Sequence, residues 1–530
     1  MLVTTHSSTQ RLLKIVIVFA NKIYVKRESN YHILIVRLAM GKIFLWCFLV
    51  ICHKLYGSRN HENKDYFETF ARSYLPSANI SGNATAGKLF TYPLSSIRSK
   101  SFNDAVVSTT AEYEGYKKLL GKLKSGNVRE HAVNILVLSN SMGCGSCVIN
   151  AGESRENCPV RYKGAWPAYL QQYLNSNLSY SNPNVFVHNY CGSGLGSSYF
   201  VDSFMQWKQS PTHVLHIADL IIVETALTDA NFPGETYRYG RAGDTAISQE
   251  FEVLIRLIKK LPQNPAVFGV ATSPTGGHVK AHLDVARPYH IPYLDIYSSL
   301  VANAEGQGLW YISGDSCRHL SVSGQRLAGI YITYFLTLLM KGQRFEISFT
   351  SKVANNITFP IFVDPAYLEI YENGTPLFLQ LSPTDRRHHI KYENYLTRVE
   401  GFSYYEDVPQ KPGFIGENTS DYFSLHFNSH ATARHCRYHA LSIGRLVSYE
   451  NMGTLEVKVN VTDPLRGSCV STFIMDSLRP ANRASITETS TFYFNHTGNS
   501  KFTIDVLFTI VASKPQRKRN KVKFFYVVLI

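Results

Sequence analysis

Apolar runs alternate with helical patterns between residues 132 and 341, and this alternation constrains the fold more than any other feature of the 530-residue chain. Four runs have the continuity of strands that are buried on both faces, namely 134–140, 184–190, 219–226 and 266–272. Helical patterns follow them, at 165–174, 250–261 and 321–341. The sequence therefore predicts an α/β domain over 132–345, built as a three-layer, doubly wound parallel sheet of the flavodoxin-like kind.

The pattern changes after residue 345 to short stretches in which apolar and polar residues alternate. Such stretches are typical of antiparallel strands, and they lie at 422–429, 454–461, 490–495 and 501–512. The turn sequence HTGNS between the last two predicts a hairpin. We expect an antiparallel β-sandwich over 346–512, acting as a scaffold or binding module, and a basic tail over 513–530.

The net charge of +15 lies almost entirely near the two ends of the chain. Residues 1–60 carry +8 and residues 514–523 carry +6, which leaves +1 for the rest. A nearly neutral folded part gives little support to a nucleic-acid-binding groove. We expect no nucleic-acid partner.

The segment 31–52 is apolar but interrupted by Arg37 and Lys42. From Met40 the sequence also has the short basic region and apolar core of a signal peptide. Two alternatives stay open, a signal peptide and a type II membrane anchor, and so does the choice between Met1 and Met40 as the start. Either alternative predicts entry into the secretory pathway.

The chain is therefore expected to be secreted, or to be a single-pass protein whose catalytic domain faces the lumen or the exterior. Residues 1–60 would be the signal or anchor, and residues 61–131 a stalk that contains one amphipathic helix, AEYEGYKKLLGKLK. Eight N-x-[ST] sequons agree with this compartment, at Asn79, Asn83, Asn177, Asn356, Asn373, Asn418, Asn460 and Asn495.

The cysteines beyond the anchor would partly pair in an oxidising lumen. Cys436–Cys469 is the natural bridge of the C-terminal part. The pairing of the other five stays open: Cys144, Cys147, Cys158, Cys191 and Cys317. No second cysteine or histidine pair accompanies Cys144 and Cys147 at zinc spacing. No Walker-type P-loop, HExxH motif or dinucleotide fingerprint stands out either, so neither a metal nor an organic cofactor is implied.

Ligands of a parallel sheet bind beyond the carboxyl ends of its strands. Four polar or glycine-rich clusters of this sequence fall at or near such positions or just before the last helix. They are Ser141, the glycines Gly192, Gly194 and Gly196, the pair Thr228 and Asp229, and the pair Asp315 and His319. Any one of them is an ordinary turn residue by itself. All four in this order favour a shared site.

These blocks resemble the SGNH or GDSL-type esterases over about residues 132–341. The resembling stretches are LSNSMGCG, NYCGSGLGSS, ETALTDAN and DSCRHLSVSG. The resemblance implies a divergent member of that family with a C-terminal β-domain. It implies that Ser141 is the nucleophile, that His319 is the general base and that Asp315 orients His319. It also implies an oxyanion hole made by the N–H groups of Ser141 and Gly194 together with Thr228.

The sequence departs from the family pattern at three places. Ser139 and Asn140 replace the glycine and aspartate before the nucleophile, and Thr228 replaces the oxyanion asparagine. Asp315 precedes His319 by four residues, where the family has three.

Three functions follow from this interpretation. The first is a serine hydrolase of acyl or acetyl esters, for which the compartment favours glycan esters as substrates. The second is a glycan O-acyltransferase that uses the same Ser/His site. The third is a non-catalytic protein that binds a glycan or a protein partner. The acyl group, the acceptor and the oligomeric state stay open.

Overall fold

The computed structural model describes eighteen stretches of the chain and five isolated positions. They are 106–108, 114–124, 132–145, 164–177, 185–192, 194–229, 244–272, 279–297, 319–340, 377–381, 392–407, 412–428, 438–448, 451–465, 467–478, 485–495, 502–512 and 520–529, with 360, 362, 363, 368 and 371. The predicted anchor and the segment 31–52 lie outside these residues. Within them, no helix is both long and apolar enough to cross a membrane.

The first domain is an α/β unit with one central sheet. Its strands are β1 (Val106–Ser108), β2 (Val133–Ser139), β3 (Val185–Cys191), β4 (Leu220–Glu224), β5 (Ala266–Ala271) and β6 (Tyr293–Asp295). Its helices are α1 (Glu114–Lys124), α2 (Trp166–Asn177), α3 (Ser197–Gln209), α4 (Ala226–Asp229), α5 (Asp244–Lys259), α6 (Val279–Ala286) and α7 (Val322–Met340), and a short 3-10 helix covers Val214–His216.

Strands β2 to β6 are parallel, and the sheet order is β1-β6-β5-β4-β2-β3 with β1 antiparallel at the edge. Counted from β2, the parallel strands follow the flavodoxin-like order 2-1-3-4-5. The strands β2, β4 and β5 are almost wholly buried, as expected for continuous apolar runs covered by helices. The predicted fold class is confirmed. In this order the switch point lies between β2 and β4, and ligands bind at such a point.

The segment that we assigned to a stalk contributes to this domain. The predicted amphipathic helix forms as α1, and its apolar positions Tyr116, Leu119 and Leu123 are buried. The hydroxyl of Tyr116 donates to the main-chain oxygen of Val267 in β5. Residues 114–124 are therefore part of the α/β unit, because one apolar face of the helix is buried against the sheet.

The second domain is an antiparallel β-sandwich. One sheet has the order β15-β12-β17-β10-β9, with β7 also paired to β17, and the other has the order β14-β13-β16-β11-β8. The strands are β7 (Leu377–Gln380), β8 (Leu396–Glu400), β9 (Ser403–Glu406), β10 (Pro412–Gly416), β11 (Tyr422–Asn428), β12 (Tyr438–Val447), β13 (Thr454–Asp463), β14 (Gly467–Asp476), β15 (Ile486–Asn495), β16 (Thr503–Val511) and β17 (Val522–Leu529), and a 3-10 turn covers Tyr392–Asn394. Phenylalanines and aliphatic residues of both sheets fill the space between them.

Two predictions about this domain are wrong. The strands on either side of HTGNS do not form a hairpin, because β15 pairs with β12 whereas β16 pairs with β13 and β11 in the other sheet. The predicted basic tail contains an interior strand, β17, which lies between β12 and β10. The apolar run that follows Lys523 explains this, because seven of the eight residues of β17 are apolar.

Four of the predicted glycosylation sites lie on described residues. Asn418 is exposed in the turn after β10, and Asn460 is half-buried on β13. Asn177 and Asn495 are the last residues of α2 and β15. The other four are outside the described residues, and glycosylation stays a prediction at all eight.

Candidate active site

Ser141 lies in the tight turn that follows β2, at the switch point of the sheet. The side chain of Asn140 accepts a hydrogen bond from Met142 N at 2.8 Å, and Ser139 Oγ accepts one from Gly143 N at 2.9 Å. A Cβ atom at Gly143 would lie 2.1 Å from Ser139 Oγ, so this close return of the chain requires glycine. These bonds fix the turn that presents Ser141.

His319 brings its imidazole to this turn from the segment before α7. Its Nε2 lies 3.0 Å from Ser141 Oγ, which is hydrogen-bond distance. Ser141 and His319 are both buried, with 7% and 8% of their surface exposed. The sequence predicted that these two residues, 178 positions apart, would share a site, and the structure brings them together.

Gln325 joins the helix that follows His319 to the turn that carries Ser141. Its Nε2 donates to Met142 O at 2.9 Å, and its Oε1 accepts from Trp166 N at 2.8 Å. Gln325 is fully buried. One side chain therefore fixes the first turn of α7 relative to the Ser141 turn and to the start of α2.

Glu224 is a buried carboxyl group beneath the same turn, at the end of β4. Its Oε2 accepts from Ser139 Oγ at 2.6 Å, and its Oε1 accepts from Thr272 Oγ1 at 2.9 Å. Burial raises the pKa of Glu224 to about 7. The hydrogen bonds from Ser139, Thr272 and Asn140 lower this pKa, but by less than burial raises it. A chain of bonds thus runs from Gly143 N through Ser139 to a carboxyl group that titrates near neutrality.

The predicted oxyanion donors follow three strands of the sheet, with Ser141 in the turn after β2, Gly194 in the loop after β3 and Thr228 in α4 after β4. Gly194 has a φ of 75°, a left-handed conformation that favours glycine, in the loop between β3 and α3. Among the described residues, the N–H groups of Ser141 and Gly194 have no hydrogen-bond acceptor. Thr228 lies in α4, directly after β4, where it is 3% exposed and its N–H donates to Thr225 O. The assignment of these groups to an oxyanion hole stays a prediction.

Asp229, next to Thr228, contacts the start of α3. Its Oδ1 accepts from Ser197 N at 2.8 Å, and its Oδ2 accepts from Ser197 Oγ at 2.6 Å and lies 2.9 Å from His282 Nε2. A carboxylate at the N-terminus of a helix is favourable for both hydrogen bonding and the helix dipole. Asp229 therefore braces the loop that carries Gly194. Asp315 lies outside the described residues, so its role as the orienting acid stays a prediction.

One disulfide is present among the described residues. It joins Cys144, three residues after Ser141, to Cys191 at the end of β3, with 5.4 Å between their Cα atoms. The predicted Cys436–Cys469 bridge is not formed, because Cys469 is an exposed free thiol on β14. Its partner in that prediction, Cys436, lies outside the described residues.

The residues that sequence reasoning missed are Glu224, Gln325 and Thr272. Glu224 had a usable signal, since a carboxylate at the end of an otherwise apolar strand needs a buried partner. Gln325 and Thr272 had none, because each acts through a contact that only the tertiary fold creates. No group of three or more histidine, cysteine, aspartate or glutamate side chains in the described part of the chain is arranged to hold a metal ion.

No protein-family profile matches the sequence, and no curated protein does. Solved structures that the chain resembles include a two-domain esterase active on acetylated mannans, crystallised with mannopentaose; it is 16% identical, covers 81% of this chain and 97% of its own, and has a TM-score of 0.47. The psychrotrophic esterase EstA from Pseudoalteromonas sp. is 13% identical, covering 40% of this chain and 99% of its own with a TM-score of 0.25. TesA is 14% identical, covering 39% and 97% with a TM-score of 0.23.

Proposed function

We propose that the protein is a serine ester hydrolase of the SGNH type, acting through an acyl-enzyme on Ser141. The observation that carries the proposal is the 3.0 Å separation of His319 Nε2 and Ser141 Oγ at the switch point of the sheet. A buried serine within hydrogen-bond distance of a histidine is the arrangement that makes a hydroxyl nucleophilic at neutral pH.

In the first half-reaction, Ser141 Oγ attacks the ester carbonyl carbon while His319 Nε2 takes the hydroxyl proton. The N–H groups of Ser141 and Gly194 stabilise the oxyanion of the tetrahedral intermediate. The intermediate collapses by breaking the bond to the alcohol oxygen, and His319 returns its proton to the leaving alcohol.

In the second half-reaction, His319 deprotonates a water molecule that attacks the acyl-enzyme. Collapse of the second intermediate breaks the bond to Ser141 Oγ, which regains a proton from His319, and releases the carboxylic acid. The substrates that we propose are acyl or acetyl esters of glycans met in the secretory pathway. This choice is supported by the eight sequons and the apolar N-terminal segment.

The test is labelling of the full chain, secreted from a eukaryotic host, with a fluorophosphonate probe. We expect an adduct on Ser141 that is lost in Ser141→Ala and in His319→Ala. Ser203→Ala is the matched control, because Ser203 is also a buried serine but lies in α3, outside the site. Absence of labelling in the folded wild-type protein would exclude the hydrolase. With an acetyl ester and a sugar acceptor present, acetylated sugar in place of free acetate would change the proposed reaction to acyl transfer.

A further inference from the structure

The β-sandwich contacts the candidate active site through the main chain of one edge strand. The N–H of Thr487, near the start of β15, donates to Gly194 O at 3.1 Å. β15 is the last strand of its sheet, and no other strand among the described residues pairs with its outer edge. Exposed edge strands are usually covered or blunted because they pair with other chains. Here Gly194 O, in the loop between β3 and α3 (the glycine loop), accepts a hydrogen bond from that edge.

The contact is supported by packing on both sides. Tyr526 and Val528 of β17 and Ala440 of β12 belong to the same buried cluster as Phe200 of α3. The ring of Tyr199 in α3 meets the ring of Tyr526 edge-on, with 5.4 Å between centroids. The β-sandwich is thus docked on α3, the helix that begins directly after the glycine loop.

Gly194 is held from two directions. Thr487 fixes the peptide on the carboxyl side of Gly194, and Asp229 binds Ser197, the first residue of α3, three residues further on. These two contacts hold the backbone around Gly194, so the direction of the Gly194 N–H depends on β15 and on Asp229 as well as on the loop itself. A preorganised donor costs no reorganisation when the oxyanion forms.

We propose that the main-chain N–H of Thr487 is a positioning group for the oxyanion loop, which makes the β-sandwich part of the catalytic unit. The inference rests on the proposed function of Ser141 and on Gly194 as an oxyanion donor. Its partner is a peptide group, so the side chain of Thr487 is dispensable and its N–H is not.

The test compares Thr487→Pro, which removes the N–H, with Thr487→Ala, which keeps it. Loss of an oxyanion donor lowers kcat by about 100- to 1000-fold, so a misplaced one should lower it by roughly 10- to 100-fold. We expect that loss in Thr487→Pro with KM for p-nitrophenyl acetate nearly unchanged, and near wild-type kcat in Thr487→Ala. Thr489→Pro is the matched control: it removes an N–H that alternation places on the same edge, and it also loses the bond from Thr489 to Tyr526.

Wild-type kcat in a folded Thr487→Pro protein, or a loss in Thr487→Ala equal to that in Thr487→Pro, would overturn the inference. If Thr487→Pro does not fold, hydrogen exchange of the wild-type protein decides. A phosphonate on Ser141 should slow exchange at Thr487, and unchanged exchange would contradict the proposal. If wild-type protein shows no labelling at Ser141, the proposed function itself fails, which is a different result from an active enzyme that is indifferent to Thr487→Pro.

Discussion

Ser139 Oγ donates a hydrogen bond to Glu224 Oε2 at 2.6 Å while it accepts one from Gly143 N. One hydroxyl thus links a buried carboxyl group to the turn that carries Ser141. Ser139 is wholly buried, so no water can replace either bond without rearrangement.

Ser139→Ala should therefore lower both stability and activity. Removing one partner of a buried hydrogen bond costs about 1–3 kcal/mol, and here Gly143 N and Glu224 both lose a partner. Urea denaturation would measure the loss in the free energy of unfolding, and the rate of fluorophosphonate labelling would measure the loss at Ser141. Ser203→Ala serves again as the control. A labelling rate equal to that of the wild-type protein would show that the Ser141 turn does not depend on Ser139.

Glu224→Gln should change how stability depends on pH. The pKa of Glu224 in the folded protein is raised from 4.5 to about 7, so the folded state binds the proton more tightly than the unfolded state does. Glu224 therefore stabilises the fold least above pH 7, and its contribution falls as pH rises from 4.5 to 7.

The measurement is the free energy of unfolding of both proteins at pH 5 and pH 8. For this pKa shift, the free energy of unfolding of Glu224→Gln, relative to that of the wild-type protein, should be higher at pH 8 than at pH 5 by about 2 kcal/mol. A difference that is the same at both pH values would contradict the assignment of the titration to Glu224.

The sequence predicted the two residues of the site whose side chains are typical of nucleophilic catalysis, Ser141 and His319. Ser141 and His319 follow or precede regular elements at positions where a parallel sheet binds ligands, and the apolar runs located β2 to β5. Glu224 was not predicted, although a carboxylate at the end of an otherwise apolar strand indicates a buried hydrogen-bond partner. Its importance comes from Ser139 and Thr272, which reach it from two neighbouring strand ends.

The sequence analysis did not predict β17 and β14, and the physical reason differs between these two strands. In β17 the preceding basic residues suggested a tail, but Lys523 is buried and pairs with Asp407. Burial alone would raise the pKa of Asp407, and hydrogen bonds from Lys521 and Lys523 lower it overall. β14 is an edge strand that is largely exposed, so apolar and polar residues need not alternate along it.

Gln325→Leu should separate the Ser141 turn from the His319 helix. The change leaves Met142 O and Trp166 N without their buried partner, which should lower the free energy of unfolding by about 2 kcal/mol. Displacement of reacting groups by about 1 Å can reduce rates 100-fold, so kcat should fall by roughly 10- to 100-fold. Thr333→Val is the control on the same helix, since it removes only a buried bond to Gly329 O. Equal effects of both variants on kcat would argue for a general loss of stability.

Loss of the Cys144–Cys191 disulfide should lower the stability of the fold and slow the labelling of Ser141 by the fluorophosphonate probe. The two cysteines are 47 residues apart, and closing a loop of that length stabilises by about 4 kcal/mol in the chain-entropy account. The bridge also anchors the Ser141 turn to the end of β3. Thermal unfolding and labelling of Cys191→Ala would measure both effects, with Cys469→Ser as the control that removes an exposed free thiol. A Cys469→Ser protein that loses as much as Cys191→Ala would contradict this prediction.

Phe524→Ala and Phe525→Ala should differ sharply, because these neighbours on β17 face opposite sides of their sheet. Phe524 is fully buried between the two sheets, where its ring meets those of Phe402, Phe423 and Phe508. Phe525 is only partly buried, against the cluster that extends into the α/β domain. Truncating a core phenylalanine costs about 3–5 kcal/mol, so Phe524→Ala should lower the denaturation midpoint much more than Phe525→Ala.

Deletion of residues 521–530 extends the same argument to the whole strand. Without β17, the strands β7, β10 and β12 lose their common neighbour, and the buried side chains on both of its faces are removed. We expect a chain that is retained in the cell or secreted unfolded, as judged by yield and by protease sensitivity. Because Tyr526 also packs on Tyr199, close to the loop that carries Gly194, labelling of Ser141 should be lost together with the fold. A soluble, protease-resistant truncated protein that still labels at Ser141 would show that neither the fold nor the reactivity of Ser141 depends on β17.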